Sequence, residues 1–176
     1  MSYHARKSGF ANAAVVVGVR TEDFYKGHPL DGMYYQESFE KLAYKYGGGG
    51  YKSPAQRLVD FLGKKDTTVE MKSTYMPGIT PARMDKILPD FISEALKGSM
   101  QHYDNKMRGY INERALVVGL ESKTSSPVMF PRDKSLQSLS HPGVYPTGEG
   151  AGYAGGIMSA AVDGVRVALS IVESLA

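Results

Sequence analysis

The chain has 176 residues, 42% hydrophobic and 22% charged, ordinary values for one folded domain or one domain with a small lobe. The absence of cysteine excludes a disulfide framework, a zinc–thiolate site, an iron–sulfur cluster and a thiol nucleophile. A formal charge of +3, with no block of like charge, gives no ground for a nucleic-acid partner.

The opening residues MSYHARKSGF carry basic side chains but no apolar stretch, which argues against a secretory signal. Ala11 to Arg20, with Val15, Val16 and Val17, predicts a short buried strand. Thr21 to Phe24 predicts a turn or one turn of helix. Between Met33 and Tyr46, the residues Phe39, Leu42, Ala43 and Tyr46 recur at helical spacing and predict an amphipathic helix, ended by Gly47–Gly50. Ser53-Pro54 predicts a second helix, with Ser53 as N-cap, Pro54 in the first turn, and Leu58, Phe61 and Leu62 inward. Gly63 and Lys64-Lys65 close it.

Residues 67–84 show no period and predict a loop. Leu88, Phe91, Ile92, Ala95, Leu96 and Met100 predict a helix from Met84 to Tyr103, which Pro89 splits or starts. Ala115 to Leu120 predicts a buried strand, and Val128–Phe130 and Val144-Tyr145 predict shorter ones. Ser135 to Ser140 reads as a polar linker. A glycine-rich turn and a long helix finish the chain. Gly150 to Val172 is long enough to consider as a membrane span, but Asp163 and Arg166 within it would cost about 2.5–3.5 kcal/mol each. A soluble, cytoplasmic α+β protein with no membrane partner is the expectation.

The stretch most charged with chemistry is Tyr145 to Val172. Gly150, Gly152 and Gly155 match G-x-G-x-x-G, but a dinucleotide fingerprint needs a second strand after its helix, and only one helix follows here. What fits better is a strand end, a Gly-Glu turn and an open helix N-terminus. Glycines there let a ligand approach the backbone, and Glu149 is suited to accept hydrogen bonds from hydroxyl groups. Ile157, Ala161, Gly164, Val165, Ala168 and Ile171 define one face of that helix, with small residues for close packing on a sheet. A ligand site and a simple helix-packing glycine patch are both open readings. Asp163 and Arg166, three apart, predict a local ion pair. The histidines at 4, 28, 102 and 141 show no metal-ligand spacing.

The ending GEGAGYAGGIMSAAVDGVRVA resembles the C-terminal motif of the uncharacterised FAD-dependent dehydrogenases, also called NAD-utilising dehydrogenases. The resemblance extends through FANAAVVVGVRTEDF, Tyr35-Gln36 with Glu40, SPAQRLVDFL, STYMPGITPARMDKILPDFISEAL and ESKTSSPVMFPRD. The pattern departs at Lys123 and Met129, where the family carries arginine. The resemblance implies a flavoprotein oxidoreductase whose N-terminal FAD-binding domain is missing here, so that Met1 is an internal methionine. It implies that residues 1–112 are a cap or substrate lobe and 113–176 the returning piece of the FAD domain. It places Gly148, Glu149, Gly150, Gly152, Tyr153, Gly155, Gly156 and Ile157 at FAD, with Glu149 at the ribityl chain and Tyr153 near the flavin ring or substrate. Thr124, Ser125 and Ser126 face the same cleft or only shape a turn, and His4 with Arg6 faces it or stays exposed. NAD(P) as electron donor, a small-molecule substrate and the missing FAD domain complete the implied partners. The alternative is a stand-alone binding or regulatory module that kept a flavoprotein's cap and lost catalysis. The twelve tyrosines fit a surface that the missing domain covers.

Overall fold

The computed structural model describes residues 7–175. The elements are α1 (Thr21–Phe24), α2 (Asp31–Tyr46), β1 (Ser53–Arg57), α3 (Leu58–Leu62), β2 (Ile79–Pro81), a 3-10 turn (Met84–Lys86), α4 (Asp90–Lys106), β3 (Leu116–Val118) and α5 (Ile157–Leu175). Helices together with a small mixed sheet make this an α+β protein. The chain divides into two compact units, 1–20 with 37–120 and 21–36 with 121–176. No helix of the described residues is long and apolar enough to cross a membrane.

The first unit holds the sheet, ordered β2-β1-β3, with β1 parallel to β2 and antiparallel to β3. Ser53-Pro54 therefore begins the central strand and not a helix. Pro54 has no N–H, and it stands opposite Gly119, whose own N–H donates to the Pro54 carbonyl at 3.1 Å. The Gly119 carbonyl would be left without a donor. The Ser53 hydroxyl supplies one, donating to that oxygen. The hydroxyl expected to cap a helix thus completes a strand ladder.

Gln56 is fully buried in the same strand. Its amide nitrogen donates to the Lys65 carbonyl at 2.6 Å, and its oxygen accepts the Met84 N–H at 2.9 Å. One side chain thereby fixes the chain after α3 and the 3-10 turn against β1. Around it, Leu58, Phe61, Met84, Ile87, Leu96 and Met100 form the core. Arg57, the last residue of β1, binds Asp60 through Nε at 2.7 Å and Glu113 through Nη1 at 2.7 Å. The bonds from Arg57 to Asp60, with one from Thr67, hold the Asp60 carboxyl below its ordinary range against the opposing effect of burial.

Several expectations stand. The helix closed by Gly47, the inward Leu58 and Phe61, the strand at Leu116 and the helix started by Pro89 are all present. Others need correction. Ala11–Arg20 is not a strand: no residue of it joins a β-ladder among the described residues, and Val15 and Val17 lean on the core. Residues 79–81, expected as loop, pair with β1. Val128–Phe130 and Val144-Tyr145 form no strands, because their backbone bonds go to turns, Phe130 N–H to Ala151 and Ser138 N–H to the Val144 carbonyl. Within residues 135–140, Ser138 bridges to Arg132 as an isolated antiparallel pair, so the segment is folded and not a linker.

The account of β1 yields a test. Ser53→Ala should lower the unfolding free energy by about 1–3 kcal/mol, the usual cost of a polar group left unpaired. Adding Pro54→Ala should recover part of the loss, because the new N–H can face Gly119. Urea midpoints read both variants, and an unaffected Ser53→Ala protein would contradict the pairing.

Candidate functional site

The glycine-rich segment folds as a tight turn leading into α5. Gly148 and Gly152 adopt left-handed conformations, φ +74° and +86°. The Gly152 N–H donates to the Glu149 carbonyl at 2.9 Å, and the Tyr153 N–H to the Gly148 carbonyl at 3.0 Å. Gly152 is glycine for a second reason: a Cβ there would press on the Val128 carbonyl and Met129. The Phe130 N–H to Ala151 carbonyl bond, at 3.1 Å, runs along the same contact.

Arg132 pins this turn to the helix. Its guanidinium binds Asp163 in a fork, at 2.6 and 3.0 Å, and donates to the Pro146 carbonyl at 2.8 Å. The same group lies 3.6 Å from the centre of the Tyr153 ring. The Tyr153 hydroxyl accepts the Arg132 N–H at 3.1 Å and donates to the Phe130 carbonyl at 2.9 Å. The second Asp163 oxygen also accepts the Gly148 N–H at 2.9 Å. These bonds, the Arg132 pair first, hold the Asp163 carboxyl below its ordinary value, while burial acts the other way. Asp163 is therefore paired with Arg132 and not, as its spacing suggested, with Arg166, which adds only a weaker attraction.

Sequence reasoning overlooked Arg132. The available signal was Asp163 itself, which shares an inward stripe with Ala160 and Val167 at helical spacing and so demands a cation. That stripe corrects the expected inward face. Ile157, Ala161, Val165 and Ala168 are exposed, while Asp163 and Val167 are the buried residues of α5. The helix is apolar nearly all round, so hydrophobicity alone does not mark its inner side.

All eight residues expected at a cofactor fall in this one turn, but they divide by what the fold asks of them. The Gly148, Gly152 and Tyr153 N–H groups and the Tyr153 hydroxyl are committed to internal bonds. Glu149 is half-buried, and its carboxylate has no hydrogen bond or ion pair among the described residues. Gly150, Gly155 and Gly156 need no left-handed backbone, and a Cβ on any of them would meet nothing within 4 Å. The first N–H groups of α5, from Ile157 on, have no acceptor within their own helix. Ser126 spends its hydroxyl on the Val128 and Gly150 carbonyls at 2.8 and 3.2 Å, whereas Thr124 and Ser125 are exposed. His4 and Arg6 lie outside the described residues. Among those described, no group of three His, Asp or Glu side chains is placed to hold a metal ion.

The Arg132–Asp163 pair should reveal itself in acid. A carboxyl held below its ordinary 3.8 contributes stability that is present above that value and lost as pH falls through the lower, folded one. Asp163→Asn should cost about 3–5 kcal/mol near neutral pH by stranding a buried guanidinium. The gap between wild type and variant should narrow below about pH 4. A gap unchanged from about pH 7 to about pH 3 would contradict this assignment.

The family model described as "FAD-dependent protein, C-terminal domain-like" matches residues 1–124, which take in the whole sheet and α1 to α4. A Clostridium beijerinckii protein bearing the name "Uncharacterized protein" is 47% identical over 175 residues, 98% of this chain and 33% of that protein. The chain thus spans about a third of the length of the curated relative it matches. That relative's match runs on through the glycine-rich turn and α5, beyond the end of the family model. With residues 1–124 of 176 under the family model, the chain belongs to the FAD-dependent protein, C-terminal domain-like family.

Proposed function

We infer that this chain is the flavin-facing C-terminal part of a FAD-dependent oxidoreductase. In this reading the sheet-bearing unit is the cap or substrate lobe. The returning piece of the flavin-binding domain, expected as 113–176, is drawn here from residue 121 on, because β3 (Leu116–Val118) pairs with β1. The observation that carries it is at α5. Ile157, Val165 and Val172 are 89%, 60% and 64% exposed on a 19-residue apolar helix. The turn before it keeps three glycines whose spare room no atom of the described residues occupies. Such a surface is costly in water and fits a further domain and a bound cofactor.

The free groups fit a flavin nucleotide in kind. The Glu149 carboxylate would accept hydrogen bonds from ribityl hydroxyls. Gly150, Gly155 and Gly156 would let the cofactor come against the backbone, and the N–H groups at the start of α5 would face its electron-rich edge. Gly148, Gly152 and Tyr153 would act indirectly, by holding the turn in shape. When bound, FAD supplies the hydride and electron chemistry. The residues of this chain hold it, orient it and exclude water with the apolar α5 face. NAD(P)H as electron donor, a small-molecule substrate and a cytoplasmic setting belong to the same proposal, on the resemblance in sequence.

Two variants of the full-length flavoprotein test the reading. Glu149→Ala should reduce FAD affinity about 10- to 100-fold, the loss of one charge-assisted bond of about 1.5–3 kcal/mol, with little change in melting temperature. Gly155→Val should leave the melting temperature of the 176-residue chain unchanged, because its Cβ meets open space, yet lower flavin occupancy in the full-length protein. A colourless full-length protein, or full flavin occupancy in both variants, would overturn the assignment.

A further inference from the structure

The first unit contains a second feature that owes nothing to the flavin reading. After α2 the backbone turns left-handed through Gly48, Gly49 and Gly50, with φ of +84°, +78° and +67°. A single glycine is enough to end a helix. Here the left-handed run continues into Tyr51 at φ +42°, a conformation that costs a bulky residue about 1–2 kcal/mol. Tyr51 gains nothing from burial in return, since it is 85% exposed. A strained residue whose side chain is not packed is a mark of function more than of folding.

The turn borders an open cleft of about 270 Å³ at the end of α2 and the start of β1. Tyr44, Tyr51, Tyr75, Lys52 and Glu40 line it, together with Gly119 and Leu120. The rings are held from behind. The Tyr75 hydroxyl donates to the Tyr51 carbonyl at 3.0 Å, and the Tyr44 hydroxyl end lies by Gly49, 3.7 Å from where a Cβ would stand. The Thr80 hydroxyl ties down the Gly47 carbonyl at 2.6 Å, fixing the root of the turn. Glu40 is engaged, whereas the Lys52 ammonium has no anionic partner among the described residues.

We propose that this cleft binds a planar aromatic ring bearing one negative charge, an aromatic carboxylate of single-ring size. The three tyrosines offer ring faces and edges for stacking, and Lys52 offers the charge. The strain at Tyr51 is what places its ring at the mouth.

Benzoate is the probe, titrated into the intact chain and followed by ligand-observed NMR. Binding should saturate, with cyclohexanecarboxylate and benzyl alcohol each about 10-fold weaker, one lacking the ring and the other the charge. Tyr51→Gly is the decisive variant, because glycine accepts the left-handed backbone freely. It should weaken benzoate about 10-fold while the melting temperature holds or rises. Lys52→Gln should weaken benzoate and leave benzyl alcohol unchanged. Equal binding of cyclohexanecarboxylate, no saturation with benzoate, or a lowered melting temperature with unchanged benzoate binding in Tyr51→Gly would each overturn the proposal.

Discussion

The guanidinium of Arg132 is the point from which the second unit is organised. It engages the Asp163 carboxylate, the Pro146 carbonyl and the face of Tyr153 at once. Through Asp163 it also fixes the Gly148 N–H, and through its own backbone N–H the Tyr153 hydroxyl. A buried charge is tolerable only when its hydrogen-bonding capacity is used this fully. The consequence is geometric. With the first residues of the turn bound to a residue of the second turn of α5, the remaining glycines and Glu149 are presented in a defined place without being consumed by the fold.

The first unit solves a similar problem with an uncharged group. Gln56, fully buried on the central strand, bonds Lys65 and Met84 and so ties two irregular stretches to that strand. A sheet this small buries little apolar area, and polar bonds of defined geometry give it a unique arrangement. The Ser53 hydroxyl belongs to the same economy, because it allows a proline in the middle strand. Both units therefore rest on one buried polar side chain each. Both also keep an exposed apolar or aromatic surface that their own packing does not explain.

How far this was legible in the sequence depended on whether the deciding partner was local. The helix of Phe39, Leu42 and Ala43, its glycine stop and the start at Pro89 depend on neighbours a few residues away, and they were readable. Ser53-Pro54 was misread because a serine before a proline is locally as good a helix start as a strand. The partner that decides, Gly119, lies 66 residues on. Ala11–Arg20 and Val128–Phe130 have strand composition but no strand to pair with, which composition does not reveal. At the turn itself, the sequence singled out a set of residues but did not show what the fold asks of each. Only backbone conformation and crowding separate Gly148 and Gly152, which the fold requires, from Gly150, Gly155 and Gly156, which it does not.

The exposed apolar surface of α5 carries the central proposal, that this helix is covered in the full-length protein. Two exposed methionines allow a direct measurement. Met158, 74% exposed, sits in the first turn of α5, and Met76, 86% exposed, lies in the loop before β2 and serves as the internal control. Hydrogen peroxide oxidation followed by mass spectrometry should modify both at similar rates in the 176-residue chain alone. In the flavin-loaded full-length protein, Met158 should be strongly protected while Met76 reacts as before. Equal oxidation of Met158 in the two preparations would contradict the account.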